Sequence, residues 1–212
     1  RERCSSVAGE AGSRLTACGV HTCNAASRRG VDRSAQLVLE TSAVPTECVA
    51  ACCGCSTPVA IQGGLTYSSV TACQNHICGL TTAGVAYCWG SNWSGELGIG
   101  TSTGPEQCTS YYYPTFSCSS APVAVTGGLT FASLTAGGRY TCGLTRTGTA
   151  YCWGSAEFGS LGTGDTTGSQ RCSFGTLAYG CTPTPVPVAG GLTFTSIDHT
   201  FGITTTGAAY CW

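Results

Sequence analysis

Cys-Gly-Leu-Thr-Arg-Thr-Gly-Thr-Ala-Tyr-Cys-Trp-Gly, residues 142–154, is the stretch from which the fold of this chain is read. It returns from Cys78 to Gly90 as Cys-Gly-Leu-Thr-Thr-Ala-Gly-Val-Ala-Tyr-Cys-Trp-Gly. A third copy begins Phe201-Gly202-Ile203 and ends Ala209-Tyr210-Cys211-Trp212. A unit recurring at a fixed period hides its apolar face against its neighbours, so the repeat sets the architecture before any local detail does.

Within the copy from Cys78 to Cys88 the symmetry centre is Ala83, which places Cys78 opposite Cys88 and Leu80 opposite Ala86. The loop left over is Thr82-Ala83-Gly84, and a three-residue hairpin loop wants a left-handed third residue, the role glycine fills at Gly84, Gly148 and Gly207. Opposed cysteines at a non-hydrogen-bonded antiparallel pair lie close enough to bond, so Cys78–Cys88 and Cys142–Cys152 disulfides are expected. In the third copy Phe201 faces Cys211, which must be free or paired elsewhere.

Composition narrows the setting. The chain has 212 residues with a 42% hydrophobic share, enough for a sizeable core, yet only 9% of residues are charged, against roughly 25% in ordinary soluble domains. All basic residues are Arg and the net charge is −1, so no basic stripe invites nucleic acid. Seventeen cysteines point to an oxidising, extracellular compartment, and their odd number leaves at least one unpaired within the chain. No apolar run approaches a membrane span, and no signal-peptide pattern opens the sequence. Arg1 and the lack of Met are expected of a processed chain or a fragment.

Read in order, residues 1–57 form a degenerate, cysteine-rich first repeat or cap. Its Cys48, Cys52, Cys53 and Cys55 lack paired Cys-x-x-Cys knuckles, so they read as disulfides rather than a metal site. Full repeats follow at 58–121 and 122–184, and a truncated one at 185–212. Each opens Pro-Val and then Gly-Gly-Leu-Thr-Phe/Tyr, and each full repeat holds four short β-prone runs, the content of a propeller blade. The fold class expected is all-β, a partial propeller of about three and a half four-stranded units. Long loops, Ser91 to Ala121 and Ser155 to Thr184, carry Cys108 with Cys118 and Cys172 with Cys181, and a local disulfide is expected in each.

These units resemble the regulator-of-chromosome-condensation repeat family. The matching elements are the Gly-Gly-Leu-Thr-Phe/Tyr run, the Cys-Gly-Leu core, His21, His76 and His199 with Tyr140 in the remaining copy, and Trp-Gly followed by Gly95-Glu96-Leu97-Gly98 or Gly159-Ser160-Leu161-Gly162. The resemblance implies seven-bladed propellers and, given the cysteines, the secreted, disulfide-bearing branch rather than the nuclear exchange factors. It does not transmit a function.

Candidate chemistry is sparse. The histidines fall at one repeat position, where a catalytic group has no reason to recur, and they read as structural. Trp89, Trp153 and Trp212 recur with the blade and read as packing, whereas Trp93 stands outside the pattern and is the ligand candidate. Asn92-Trp93-Ser94 is the one Asn-x-Ser/Thr acceptor, so Asn92 either carries a glycan or opens a turn. Thr182 and Thr184, in the proline-rich run to Pro187, are candidate O-glycan sites or part of a stiff connector. Gly162 to Gly168 has the wrong spacing for a phosphate loop and reads as a turn. The reading is therefore a non-enzymatic extracellular protein without cofactor or metal, assembling with copies of itself or another extracellular protein into a fibre, sheath or matrix. The alternative is a secreted protein- or glycan-binding propeller of which this chain is a fragment.

Overall fold

The computed structural model describes residues 61, 63–109 and 115–212. The expected first unit, with His21 and the Cys48 to Cys55 cluster, lies outside them. The described chain is built almost entirely of antiparallel strands in three sheets. The first holds β1 (Tyr67–Cys73), β2 (His76–Thr81), β3 (Ala86–Ser91), β4 (Glu106–Cys108) and β5 (Phe116–Ala124), in the order β1-β2-β3-β5-β4. The second repeats that order with β6 (Phe131–Ala136), β7 (Tyr140–Thr145), β8 (Ala150–Ser155), β9 (Gln170–Phe174) and β10 (Leu177–Pro187). The third has β11 (Phe194–Asp198), β12 (Phe201–Thr204) and β13 (Ala209–Cys211).

The central hairpins have the register set by their symmetry: Cys78 pairs with Cys88 and Leu80 with Ala86, and likewise Cys142 with Cys152 and Leu144 with Ala150. Both cysteine pairs are bonded, with Cα atoms 4.1 Å apart, close to the 4.5 Å of a non-hydrogen-bonded pair. Gly84, Gly148 and Gly207 close the turns at φ of 84°, 84° and 83°. A threonine stitches each turn: the Thr81 hydroxyl donates to the Val85 carbonyl and accepts from the Val85 N–H, both at 3.1 Å, and Thr145 and Thr204 do the same.

The turn also joins one sheet to the next. The N–H of Phe131 donates to the Gly84 carbonyl and that of Phe194 to the Gly148 carbonyl, both at 2.8 Å. A Cβ on Gly148 would lie 2.9 Å from the Phe194 carbonyl oxygen, while one on Gly207 would meet nothing within 4 Å. Gly207→Ala is therefore expected to lose about 1 kcal/mol for the left-handed backbone alone, and Gly148→Ala about 2–3 kcal/mol, as read by urea unfolding. Equal losses would mean that the turn does not hold the neighbouring sheet.

Side chains fill the seam. Phe131 and Trp153 of the second sheet pack on Cys78, Leu80, Ala86 and Cys88 of the first, with Leu97 beside them. Phe194 and Trp212 of the third cover Leu144 and Ala150 in the same way. Burying each such aromatic ring is worth about 1.5–3 kcal/mol.

Three expectations need correcting. The segments after Trp-Gly, read as loops, fold back into hairpins: β4 pairs with β5 and β9 with β10, adding a fifth strand to a four-stranded blade. The proline-rich run from Thr182 to Pro187 is the end of β10, irregular between Thr182 and Val186 where prolines remove ladder donors. His199 also leaves the repeat position that the alignment assigned to it. It sits in the β11–β12 turn at φ 49°, where the first sheet has Gln74 at φ 48°, whereas His76 and Tyr140 are strand residues opposite Gly90 and Gly154.

Candidate interaction surface

Each added hairpin is closed by its own disulfide, Cys108–Cys118 and Cys172–Cys181, and these rigid hairpins overlap from one sheet to the next. Trp93 is the rivet. Its ring lies 5.5 Å from Phe116 of β5 and 4.3 Å from Phe174 of β9, so hairpins of two sheets share one indole. Beside it, the hydroxyls of Ser94 and Tyr179 are 2.9 Å apart, and Pro183 covers Gly95, where a Cβ would come within 2.5 Å of the proline ring. Trp93 is consequently buried packing, and the ligand role read for it from sequence is corrected.

Of the two readings of Asn92, the structure shows the turn, the Gly95 N–H donating to its carbonyl at 3.0 Å. The side chain is wholly buried, its amide nitrogen donates to the carbonyls of Thr101 and Thr103 at 2.8 and 3.0 Å, and its Oδ1 accepts the Leu97 N–H. A glycan would replace one of that nitrogen's two hydrogens and so remove one of these bonds, and the wholly buried side chain leaves no room for a sugar. Thr182 is buried too, its hydroxyl accepting the Ser169 N–H, and is no sugar acceptor in the fold. Thr184 is exposed.

Under the hairpins runs a buried polar joint. The Glu96 carbonyl accepts the Trp153 indole N–H at 2.9 Å and the Thr141 hydroxyl at 3.2 Å. Because Thr141 spends its proton there, His76 must donate its Nε2–H to Thr141 Oγ1, 2.7 Å away. Full burial lowers the His76 pKa to about 4, so the ring is neutral. The Glu96 carboxyl is also fully buried and accepts the Ser94 N–H at 2.8 Å. Desolvation raises its pKa to about 7, against the pull of backbone N–H groups and Arg139.

At the outer rim of this joint Arg139 pairs with Glu157 and lies 4.8 Å over the Tyr179 ring. At the far ends of the inner strands, Asp198 takes hydrogen bonds from His199 Nδ1 at 2.7 Å and from the Thr135 hydroxyl at 3.1 Å. The His199 pKa is raised, chiefly by a hydrogen bond to Cys73. Asp165 accepts from the N–H groups of Thr167 and Gly168, which makes the stretch from Gly162 to Gly168 a set of turns held by one carboxylate, lowered in pKa by those bonds. Among the described residues one cluster has metal-ligand spacing, Glu106 with Cys108 and Cys118, but the two sulfurs are bonded to each other.

Sequence reasoning missed two surface residues. Phe158 is 92% exposed at φ 58°, and Leu177 is 67% exposed at the tip of β9–β10. The signal for Phe158 was available, since aligning the repeats puts it where the first has Ser94. Ser94 is buried against Tyr179 of the following sheet, a cover that Phe158 lacks among the described residues.

A model of the regulator of chromosome condensation (RCC1) repeat matches residues 131–160, from the Phe that docks on the preceding sheet through Trp153 to the turn after it. The second sheet thus carries an RCC1 repeat match. The mitochondrial RCC1 domain-containing protein RUG3 of Arabidopsis thaliana is 28% identical over 151 residues, which cover 68% of this chain and 30% of RUG3. Human WBSCR16 superposes with a TM-score of 0.53 at 17% identity, over 71% of this chain and 34% of its own. Prp20p of Saccharomyces cerevisiae gives 0.50 at 20% identity, over 66% and 30%. Both structures share the RCC1 propeller fold with this chain, which spans about a third of their length. No helix among the described residues is long and apolar enough to cross a membrane.

Proposed function

We propose that this chain is a non-enzymatic, protein-binding module of RCC1 repeats, with units at 58–121, 122–184 and 185–212, that works in an oxidising extracellular setting. It takes its partner on the ridge of disulfide-closed hairpins. The observation that carries this reading is the RCC1 repeat match of residues 131–160, in a blade whose outer hairpin is closed by its own disulfide. Among the described residues that hairpin ridge presents Phe158 and Leu177, apolar side chains of the kind that anchor protein interfaces. Prp20p, of the same fold, is known for binding Gsp1p and histones, and four disulfides suit an oxidising compartment.

The test is capture from the extracellular fraction of the protein's own source by immobilised wild type and by the F158S/L177S double variant. A protein retained at least tenfold better by the wild type, with both forms unfolding at the same temperature, is the expected result. Equal retention would remove the ridge as the binding surface. A second reading is self-assembly into a fibre or matrix, which a charged share of only 9% would suit. Sedimentation velocity over a hundredfold concentration range separates the two, because the binding module stays monomeric.

A further inference from the structure

The outer hairpins of the first two sheets are built alike but for the side chain beside the disulfide. In the first, Glu106 pairs with Cys118 and Cys108 with Phe116. In the second, Gln170 pairs with Cys181 and Cys172 with Tyr179. The bonds Cys108–Cys118 and Cys172–Cys181 thus have an exposed neighbour at the same register position, a carboxylate in one hairpin and a neutral amide in the other. Among the described residues, Glu106, Cys108 and Cys118 form the one group whose metal-ligating atoms all lie within 4.8 Å of one another.

Two thiolates and a carboxylate are a zinc ligand set, and with Zn–S bonds of about 2.3 Å a tetrahedral ion holds its two thiolates about 3.8 Å apart. The cysteines reach that spacing by side-chain rotation once their bond is cut, since their Cα atoms are 5.9 Å apart. The surrounding backbone is fixed by more than the bond. Gly104 lies so close to the Cys118 backbone that it has no room for a Cβ, and the Ser120 N–H donates to Glu106 Oε2 at 3.3 Å, which keeps the carboxylate beside the sulfurs. The sulfurs sit in the cluster of Trp93 and Phe116, whereas Glu106 faces solvent, so the side open to an incoming ion is the one that carries the negative charge.

We propose that the first outer hairpin is a redox-gated site for zinc or another thiophilic divalent ion, with Cys108, Cys118 and Glu106 as its ligands and a water on the solvent side as the fourth. A dithiol gives two electrons and two protons to the Cys108–Cys118 bond and leaves as its own cyclic disulfide. The ion then displaces the two thiol protons and binds two thiolates and one carboxylate. Metal closes the hairpin where sulfur closed it before. The hairpin with this second closure is the one that needs it: β4 meets β5 over three residue pairs, whereas β9 meets β10 over five.

The test is zinc protection of the full chain, reduced without unfolding by a phosphine, then alkylated and mapped cysteine by cysteine by mass spectrometry. Zinc should slow alkylation of Cys108 and Cys118 at least tenfold, magnesium should not, and the rates at Cys172 and Cys181 should be the same with and without zinc. Glu106→Gln should remove most of the protection, and Gln170→Glu should confer it on the second hairpin; both positions are exposed, so neither change disturbs the core. Cobalt(II) supplies a reading independent of alkylation, since the thiolate-to-cobalt absorption of the reduced wild type should exceed that of C108S/C118S. The site is overturned by protection that is absent, equal in the two wild-type hairpins or unchanged in E106Q, by equal cobalt bands, or by a Cys108–Cys118 bond that the phosphine leaves intact in the folded chain. A second hairpin still unprotected in Q170E would overturn the carboxylate as the deciding ligand.

Discussion

Trp153→Ala is expected to lower the unfolding free energy by about 4 kcal/mol, within the range for deleting a buried aromatic from a core that cannot collapse. The ring is wholly buried in the seam between the first two sheets, packed on Phe131 at 5.8 Å, and its indole N–H is one of two donors to the Glu96 carbonyl. Gly98 lies so close that a Cβ there would sit 2.7 Å from the indole nitrogen, so the backbone has shaped itself to this side chain. Trp153→Phe keeps most of the buried area and loses the donor, and should cost about 1–2 kcal/mol. Urea unfolding of both variants checks the pair. A loss under 1 kcal/mol for the alanine variant would mean that the seam closes without its central ring.

Glu96→Gln is expected to stabilise the chain by on the order of 3 kcal/mol at pH 8 and to do nothing at pH 4. The folded carboxyl has a pKa of about 7 and the free group one of 4.5, so between those values the folded state binds more protons than the unfolded state. Stability then falls as pH rises through this window, and the full penalty is present above about pH 7. Gln accepts the Ser94 N–H as the carboxyl does and carries no charge to desolvate. His76 works in the opposite direction. Its pKa is about 4 folded and 6.5 free, so the unfolded state binds more protons and stability rises with pH across that range. In the wild type the two slopes offset each other between about pH 4.5 and 6.5, whereas the Gln variant should rise through the same interval. Urea midpoints at pH 4, 6 and 8 show the difference, and parallel profiles for the two proteins would mean that Glu96 is already ionised in the fold.

How much of this was legible in the sequence depended on the distance over which each residue finds its partner. Cys142 meets Cys152 across a tight turn, and alternation around a glycine is enough to align them. The blade follows from such hairpins repeated. Trp93 could be recognised only as lying off the repeat pattern, because the ring that traps it, Phe174, arrives from the next sheet. Asn92 fits a three-residue acceptor motif, but that motif says nothing of burial, and here the side chain holds a turn together from inside. The fifth strands escaped notice because β4 and β9 are short and set among loop-like residues, so their pairing depends on the disulfides rather than on apolar alternation. His199 was misplaced by a shortening of its own hairpin, which shifts the turn while leaving the flanking sequence recognisable.

That shortening bears on how the molecule can be approached. Phe194 pairs with Thr204, whereas Phe131 pairs with Thr145 and Tyr67 with Thr81, so the third inner hairpin lacks two residues on each strand. At 3.3 Å per residue it stops about 7 Å below its neighbours, and its tip rests against Thr135 rather than level with Gly138. The array thus presents two tall walls and one low one at that end. A surface reaching across that end meets a step of about two residues between the second and third hairpins.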